Sequence, residues 1–370
     1  MAAGHLIGVD DLSDADVTSL FARADVFGRE GSRASDRLAQ KLVAVLFYEP
    51  STRTRLSFES AVWRLGGRVL GFADAGSSSV SKGETVADTI RIIGAYADAA
   101  VMRHPSAGAT QVAADHSTVP VISAGDGAHL HPTQTLTDLY YLRRKRGRID
   151  GLTVALCGDL YAGRTVHSLA TALARFGARI ICVAPVGLRM PDYVTDEVTR
   201  RYGGQIVYVD TLDECLGDAD VLYMTRLQRE RLPASLQHVD IAKVDAKLLS
   251  RMRPDTVILH PLPRVDEIAY EVDSDPRAAY FEQAAGGVLV RMALLDLLLT
   301  EDGFARAERP FRAATPPEAY STCDNSGCIT KRESYVHHRP VVTDWCPDQP
   351  RCAYCEHPLV QGVLPLSDRA

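Results

Sequence analysis

The segment from Leu42 to Leu65 constrains the fold more than any other part of the chain. Leu42-Val-Ala-Val-Leu-Phe47 is a continuous apolar run, which is typical of a strand buried on both faces of a parallel sheet. The polar turn from Glu49 to Thr54 follows directly, and the residues from Arg55 to Leu65 have the apolar spacing of a helix. The sequence therefore predicts a strand that leads into a helix N-terminus, where free backbone N–H groups and the helix dipole favour an anion.

The same alternation of short apolar runs and helical patterns continues along the chain and predicts an α/β fold. In the first half, apolar runs at 68–72, 99–102 and 119–123 alternate with helical patterns at 84–96 and 132–146. A second series has strand-like runs at 152–157, 180–183, 205–209 and 221–224, with a helical pattern after Arg164. We therefore expect two doubly wound parallel-sheet domains.

The chain also divides by composition. The apolar segment from Val288 to Leu299 predicts a packed helix, and the prolines between Arg309 and Pro317 predict a linker. Clustered cysteines follow, and we expect a small C-terminal β domain that is zinc-ribbon-like. The predicted domains and linker are, in chain order, 1–135 (completed by a helix at about 285–305), 136–284, 306–319 and 320–362.

Charge and hydropathy exclude several classes of protein. The chain has 370 residues and a net charge of -6, which argues against general binding of nucleic acid. The basic run from Arg143 to Arg148 is predicted as a solvated helix end, with a nucleic-acid patch as the alternative. The N-terminus shows no basic segment leading into an apolar one, and no apolar stretch is expected to approach the length of a membrane span. We expect a cytoplasmic protein.

The turn after the first strand carries side chains suited to a phosphate. Hydroxyl groups of Ser51, Thr52 and Thr54 alternate with the guanidinium groups of Arg53 and Arg55. Together they could complete a phosphate cradle at the helix N-terminus. The alternative is a capped helix with two solvated arginines.

Other polar clusters follow later strands. Arg103 ends one strand, and His131 and Gln134 lie at a helix start, where surface exposure and capping are the alternatives to a ligand role. The glycine-rich turn from Gly158 to Arg164 could pass for a nucleotide-binding loop, but it lacks the Gly-Lys-Ser/Thr ending and the Gly-x-Gly-x-x-Gly spacing.

Five of the eight cysteines lie between residues 323 and 355. Four of these form a Cys-x4-Cys pair and a Cys-x2-Cys pair, at Cys323, Cys328, Cys352 and Cys355. Two such pairs separated by a loop allow four thiolates to meet tetrahedrally around Zn²⁺, and buried inert thiols are the alternative. Cys346 could compete as a ligand, and His337 and His338 are predicted as loop residues.

Two motifs resemble a known family. The stretch Phe47-Tyr-Glu-Pro-Ser-Thr-Arg-Thr-Arg-Leu-Ser-Phe-Glu59 resembles the carbamoyl-phosphate motif of the aspartate and ornithine carbamoyltransferases. His131-Pro-Thr-Gln134 is similar to a second signature of that family. The resemblance implies a carbamoyltransferase-like arrangement of the two domains, carbamoyl phosphate as one substrate and no organic cofactor.

The resemblance also implies roles for single residues. Thr54, Arg103 and His131 would polarise the carbonyl oxygen, while Gln134 would hold the carbamoyl amide. The implied ligands of carbamoyl phosphate are Ser51, Thr52, Arg53, Thr54, Ser78, Lys82, Arg103, His131, Gln134, Leu262 and Pro263.

The polar loop from Ser77 to Thr85 reads from its residues as a surface loop with a capping-type Ser81-x-x-Glu84 before a helix. It also resembles the family loop that reaches into a neighbouring subunit, with Ser81-Lys82 where many relatives carry two lysines. The resemblance of this loop implies that Lys82 is catalytic and binds both substrates. It also implies a homotrimer with shared active sites, which could form part of a higher assembly.

The acceptor follows from three further segments. The turn ending at Arg164 and the segment from Met224 to Arg231 resemble the family's aspartate-side loops, which implies that Arg164, Arg226 and Gln228 bind aspartate. Tyr161-Ala162 departs from the usual Lys-Tyr. The ornithine branch would show Cys-Leu-Pro where this chain has His260-Pro-Leu-Pro263, so L-aspartate is the implied acceptor.

The cysteine block resembles the zinc domain of the separate regulatory chain of bacterial aspartate carbamoyltransferase, which implies one structural Zn²⁺ per chain. The predicted activity is transfer of the carbamoyl group to L-aspartate in pyrimidine biosynthesis. The alternatives are a different amine acceptor, or an inactive scaffold with a nucleic-acid-binding zinc ribbon. Retention of every matched site residue opposes the scaffold.

Overall fold

The computed structural model describes residues 4–31, 35–229, 232, 234–236, 238–300, 311–314 and 322–360. These form two compact units, of which the first comprises Met1–Pro132 with Met292–Ala370 and the second comprises Thr133–Arg291. Helix α5 begins at Pro132, the last residue of the first segment, and helix α9 includes the division between Arg291 and Met292.

The elements follow the predicted alternation. The helices are α1 (Asp14–Glu30), α2 (Thr52–Arg64), α3 (Val86–Tyr96), α4 (Ala109–His116), α5 (Pro132–Arg146), α6 (Arg164–Arg175), α7 (Asp192–Asp196), α8 (Ala246–Leu249) and α9 (Tyr280–Thr300). The strands of the first unit are β1 (Leu42–Phe47), β2 (Arg68–Phe72), β3 (Ala99–His104) and β4 (Val121–Asp126). Those of the second unit are β5 (Thr153–Cys157), β6 (Arg179–Val183), β7 (Ile206–Val209), β8 (Val221–Met224) and β9 (Val257–Leu259). The remaining strands are β10 (Phe311–Ala313), β11 (Pro340–Thr343) and β12 (Cys346–Cys352).

The sheet of the first unit is parallel, with strand order β2-β1-β3-β4. Residues 43–47 of β1 are buried, and so are almost all residues of β3 and β4. Continuous apolar runs form such strands because helices and loops cover both faces of a parallel sheet. The polar residues that end β1, β3 and β4 therefore reach the same edge of the sheet.

The second unit has a parallel sheet of five strands in the order β7-β6-β5-β8-β9. Its central strand β5 is buried along its whole length. The loops after β5, β8 and β9 carry Arg164, Arg226 and Leu262 respectively. Because the three strands are parallel neighbours, these loops also leave one edge of the sheet.

The C-terminal block is a small antiparallel sheet in the order β10-β11-β12. Strand β10 lies inside the predicted linker. Its residues Phe311 to Ala313 pair antiparallel with Thr343 to Val341, so this part of the linker belongs to the sheet. The rest of that predicted linker, 306–310 and 315–319, lies outside the described residues. The predicted α/β class, with two parallel-sheet units and a small C-terminal β block, is confirmed.

Helix α9 corrects one expectation from the sequence. Its 21 residues are long and apolar enough, by length and composition alone, to cross a membrane. Nevertheless 67% of an 18-residue window of this helix is buried, and the fully buried Asp296 accepts hydrogen bonds from Arg23 and from Arg37. A buried carboxylate paired with two guanidinium groups is typical of a core helix in a globular protein.

The start of α3 also differs from prediction. Thr85 caps this helix by accepting a hydrogen bond from the Asp88 backbone N–H at 3.1 Å, whereas the Ser81 hydroxyl donates to the Ser78 carbonyl. The predicted Ser81-x-x-Glu84 cap is therefore wrong. The next backbone N–H, of Val86, donates to the Glu333 carboxylate at 3.0 Å, a partner that local sequence does not reveal.

Candidate active site

Helix α2 begins at the polar turn that follows β1. Ser51 is the N-cap residue, and its hydroxyl accepts no capping hydrogen bond from the helix backbone. Thr54 is buried, whereas Thr52 and Arg53 are exposed and Arg55 pairs with Glu59 at 3.2 Å. The Ser51 hydroxyl is therefore not used to cap the helix, whose N-terminus carries the positive end of the dipole.

Arg103 lies beside this turn. It pairs in register with Phe47 across β1 and β3, and its carbonyl accepts a hydrogen bond from the Tyr48 N–H at 2.9 Å. The Arg103 Nε–H donates to Glu49 Oε1 at 2.7 Å, and this ion pair orients the plane of the guanidinium group. The structure thus brings Arg103 and the turn after β1 to one edge of the first sheet.

His131 follows β4, the neighbour of β3. The Leu130 N–H donates to Asp126 Oδ1, and the Asp126 N–H donates to the Leu130 carbonyl, both at 3.2 Å. These bonds fold the segment back on the strand end, and the His131 side chain is buried. Arg103 therefore lies at the end of β3, and His131 follows the adjacent strand β4.

Ser78 and Lys82 lie after β2, the edge strand of this sheet. Ser78 is half-buried and donates to the Ala75 carbonyl at 2.8 Å, while Lys82 is exposed at the end of a short 3-10 helix from Ser79 to Lys82. The predicted reach of this loop into a neighbouring subunit stays a prediction, because the structure is of one chain.

In the second unit, Asp159 joins two predicted loops. Its carboxylate accepts hydrogen bonds from the Ala162 N–H at 2.8 Å and from the Gln228 N–H at 3.0 Å. The Gln228 side-chain amide in turn donates to the Ala162 carbonyl at 3.1 Å. The loop before Arg164 and the loop after Arg226 are thereby held together, with Arg164 buried at the start of α6.

Two other predicted residues of the second unit lie in hydrogen-bonded surroundings. Gln134 donates its side-chain amide to Asp138 Oδ1 at 2.7 Å. Leu262 follows β9 with a φ of 53°, and its N–H donates to His260 Nδ1 at 2.7 Å. Pro263 follows it through a cis peptide bond.

The four cysteines predicted from spacing converge. Sulfur atoms of Cys323, Cys328, Cys352 and Cys355 all lie within 4.8 Å of one another. The Cys323–Cys355 pair is separated by 3.5 Å and the Cys328–Cys352 pair by 3.8 Å. Four sulfurs at about 2.3 Å from a tetrahedral zinc ion would be about 3.8 Å apart, so this group could hold a metal ion. Cys346 stands apart, with its sulfur 3.8 Å from Gln349 Oε1.

The cysteine block shares a core with the first unit. The Ala107 N–H donates to the Gly327 carbonyl and the Ile329 N–H donates to the Ala107 carbonyl, both at 2.9 Å. Arg339 pairs with Asp115 at 3.2 Å. One continuous apolar cluster includes β-sheet residues and α4 residues of the first unit together with Ile329, Val336, Tyr354 and Leu359 of the block.

A charged group reinforces this contact. His129 is nearly buried, with Nδ1 3.4 Å from Asp126 Oδ1 and Nε2 3.7 Å from Glu356 Oε2. Burial disfavours the charged imidazole, but the Asp126 and Glu356 carboxylates outweigh it and raise the pKa of His129 to about 10. The cation thus lies between two carboxylates near neutral pH.

Several residues of this site were not predicted from sequence, among them Glu49, Asp138, Asp159 and Glu356. Asp138 follows Gln134 by four residues in α5, and this helical spacing could have indicated their pairing. Glu49 lies within the motif that resembles the carbamoyl-phosphate site, but its partner Arg103 follows 54 residues later. The partner of Glu356 lies more than 200 residues earlier in the chain.

The chain belongs to the aspartate/ornithine carbamoyltransferase family. The model for the carbamoyl-P binding domain of this family matches residues 4–144, and the model for its Asp/Orn binding domain matches residues 150–298. Both matches end before the cysteine block.

Individual relatives narrow the likeness to the aspartate branch. The aspartate carbamoyltransferase catalytic subunit of Chromobacterium violaceum is 51% identical over 304 residues, which cover 80% of this chain and 98% of the relative. The corresponding subunit of Lachnoclostridium phytofermentans is 49% identical over 301 residues, or 80% of this chain and 97% of the relative.

Solved structures that are similar to this chain also come from the aspartate branch. Aspartate transcarbamoylase from Trypanosoma cruzi in complex with carbamoyl aspartate and phosphate matches with a TM-score of 0.75 and 39% identity, covering 80% of this chain and 96% of that one. The same enzyme in complex with N-(phosphonacetyl)-L-aspartic acid gives the same TM-score, identity and coverage.

Proposed function

We propose that this protein transfers the carbamoyl group of carbamoyl phosphate to the amine of L-aspartate, giving N-carbamoyl-L-aspartate and phosphate in pyrimidine biosynthesis. One observation carries the proposal. Strands β1 and β3 pair in register at Phe47 and Arg103, so the hydroxyl-rich turn after β1 and Arg103 reach the same sheet edge. This edge combines a helix N-terminus with a fixed guanidinium group, which suits a small acyl phosphate.

The first unit would bind carbamoyl phosphate. The α2 N-terminus, with Ser51, Thr52 and Arg53, would receive the phosphate, with Ser78 and Lys82 of a neighbouring subunit as further ligands. Ser51 suits this role because its hydroxyl is not used to cap α2. Backbone N–H groups at a helix N-terminus stabilise such an anion without any change in protonation.

Thr54, Arg103 and His131 would polarise the carbonyl oxygen. The uncharged aspartate amine attacks the carbonyl carbon, the new C–N bond forms and the C–O bond to phosphate breaks, while the amine gives up one proton. Negative charge that develops on the carbonyl oxygen is stabilised by donors already held in place, such as Arg103 on Glu49. Gln134, Leu262 and Pro263 would receive the carbamoyl amine.

The second unit would bind aspartate. Arg164 and Arg226 offer two guanidinium groups for a dicarboxylate, and an arginine side chain can bind each carboxylate through two parallel hydrogen bonds. The hydrogen bonds of Asp159 support this role, because they hold the loops of Arg164 and Gln228 together. Lys82 would also contact aspartate.

The cysteine block would hold one structural Zn²⁺ through Cys323, Cys328, Cys352 and Cys355, as the zinc domain of a regulatory chain does in the resemblance noted above. The sulfur separations fit tetrahedral thiolate ligation. We further propose a cytoplasmic homotrimer with shared active sites. The domain boundaries proposed from sequence, 1–135, 136–284 and 320–362, correspond to these three binding roles.

The test compares two arginine variants. Arg53→Ala removes a proposed phosphate ligand and should lower kcat by about 100-fold or more, the usual cost of one transition-state donor. Arg91→Ala, which removes an exposed arginine that pairs with Asp88 on α3, is the matched control and should stay within about twofold of wild type. Equal activity of the two variants would refute the phosphate site.

A further inference from the structure

A buried carboxylate lies behind Gln134 in the second unit. Asp138 is fully buried one helical turn after Gln134 and accepts three hydrogen bonds. The donors are the Gln134 amide at 2.7 Å, the Gln283 amide at 2.6 Å and the Tyr223 hydroxyl at 2.8 Å. An ionised carboxylate only accepts, so each amide must present its NH2 group to Asp138.

This fixes which way the Gln134 amide faces. A glutamine side chain has one NH2 group and one carbonyl oxygen at opposite sides of the same planar group. With the NH2 group committed to Asp138, the side-chain carbonyl is directed away from Asp138 and can only accept. The amine of carbamoyl phosphate is a donor, so this orientation favours an amine over a methyl group of similar size.

Gln283 connects Asp138 to the turn at Leu262 through hydrogen bonds. While its NH2 group donates to Asp138, its carbonyl accepts the His260 backbone N–H at 3.0 Å. The His260 ring accepts the Leu262 N–H at Nδ1, so Nε2 carries the proton and donates to Glu267 at 2.6 Å. Leu262 is held in this way at its positive φ of 53°, which a residue with a side chain rarely adopts.

We propose that Asp138 is a positioning residue that makes the site selective for the carbamoyl amine, by orienting the Gln134 carbonyl and, through Gln283 and His260, the turn at Leu262. The inference rests on the proposed function, because it assigns Gln134 and this turn to the amine of carbamoyl phosphate. It adds a residue that does not itself touch the substrate.

Charge in the surroundings is consistent with this role. Burial raises the pKa of Asp138 to about 7, against the three hydrogen bonds and the Arg291 guanidinium, which lower it. Burial lowers the pKa of Arg291 to about 10, and Asp138 opposes that shift. Tyr223 stays protonated and donating, because burial and the Asp138 charge raise the pKa of its hydroxyl. The carboxylate is therefore ionised at mildly alkaline pH.

The experiment uses acetyl phosphate, in which a methyl group replaces the amine. Both glutamine amides donate to the same oxygen, Oδ1 of Asp138, so the variant must remove that acceptor. In Asp138→Leu, a side chain of similar size offers no acceptor, and neither Gln134 nor Gln283 is held in its orientation. The KM for carbamoyl phosphate should rise about tenfold, while the inhibition constant of acetyl phosphate, measured as a competitor, should change less than about threefold. Tyr223→Phe is the matched control, because it removes one hydrogen bond to the same carboxylate and leaves both glutamine amides their acceptor. In this control, the ratio of the acetyl phosphate inhibition constant to the carbamoyl phosphate KM should equal that of the wild type.

Folding of each variant is checked by thermal unfolding. If Asp138→Leu does not fold, Gln283→Met separates Asp138 from the His260 turn. It should still lower the ratio of the acetyl phosphate inhibition constant to the carbamoyl phosphate KM severalfold. A folded Asp138→Leu, or in its place a folded Gln283→Met, with the wild-type ratio would overturn the inference. Wild-type protein that forms no carbamoyl aspartate would instead refute the proposed function, so the two failures are distinguishable.

Discussion

The Nε2 atom of His129 lies 3.7 Å from Oε2 of Glu356, and this pair connects the cysteine block to the segment that leads into His131. On the other side of the ring, Asp126 contacts Nδ1 and also receives the Leu130 N–H. The block therefore supports, within one chain, the backbone on which His131 is placed.

Glu356→Gln should consequently lower kcat by about threefold to tenfold, because an imidazolium nearly buried beside it loses one of two carboxylate partners. Asp348→Asn, which removes an exposed carboxylate from β12 of the same block, is the control and should leave kcat within error. Steady-state kinetics with both substrates varied give the answer. Equal kcat values for the two variants, at equal zinc content, would show that the pair has no influence on His131.

Metal content is the second prediction. The purified protein should contain one zinc ion per chain, and Cys352→Ser should lose it, since its sulfur lies in the four-cysteine group. Cys346→Ser should retain it, because the Cys346 sulfur lies near Gln349 instead. Metal analysis by mass spectrometry checks both variants, and loss of zinc in both to the same extent would contradict the proposed ligand set.

Removal of zinc should also destabilise the first unit. Ile329 and Tyr354 belong to an apolar cluster that continues into α4 and the first sheet, so loss of the metal-bound loop exposes part of that core. Chelation should lower the Tm, and zinc should restore it. An unchanged Tm in protein shown to be metal-free would separate the block from the stability of the unit.

Subunit mixing tests the proposed shared site. Lys82→Ala and Arg53→Ala should each be inactive alone, because each lacks a proposed ligand of the same phosphate. If Lys82 serves a neighbouring subunit, mixed trimers regain some sites with both residues intact, and part of the activity returns. Verified mixed trimers without any recovered activity would place Lys82 in the site of its own chain.

The pH dependence of selectivity follows from Asp138. Its pKa of about 7 lies above that of an exposed aspartate, so the protonated form is favoured by folding. Below pH 7 Asp138 gains a proton and loses its charge, which weakens the hydrogen bonds from both glutamine amides. The preference of the wild type for carbamoyl phosphate over acetyl phosphate should therefore fall as the pH is lowered from 8 to 6. Asp138→Asn should show no such trend. A ratio independent of pH in wild type would contradict this assignment.

The raised pKa of Asp138 also makes the free energy of unfolding depend on pH. Between about pH 4 and pH 7 the unfolded chain releases the Asp138 proton while the folded chain retains it, so this residue lowers the free energy of unfolding as pH rises. That contribution is absent in Asp138→Asn. The difference in Tm between the two proteins should therefore depend on pH across this window.

Local sequence predicted much of the fold. The bounds of β1, β2, β8 and α5 follow directly from apolar runs, proline and helical spacing. Strands β1 and β8 are apolar throughout because they are buried on both faces. Helix α2 begins three residues earlier than expected, since the polar residues Thr52 to Thr54 already form its first turn. Polarity alone does not distinguish a turn from the exposed first turn of a helix.

Contacts between distant segments could not be predicted in the same way. The start of α3 depends on Glu333, nearly 250 residues later, and the surroundings of His129 depend on Glu356. Asp159 and Asp138 were missed for a similar reason, since their value lies in partners that only the folded sheet brings to them. The motif residues themselves were visible because they are contiguous in the chain.

Competition between acceptors tests the central claim most directly. The purified protein is given carbamoyl phosphate with equal concentrations of L-aspartate and L-ornithine, and both carbamoylated products and the released phosphate are quantified. We expect N-carbamoyl-L-aspartate in an amount equal to the phosphate that the enzyme releases, with little carbamoylated ornithine. Preferential carbamoylation of ornithine, or no enzymatic carbamoyl transfer to either amine, would contradict it.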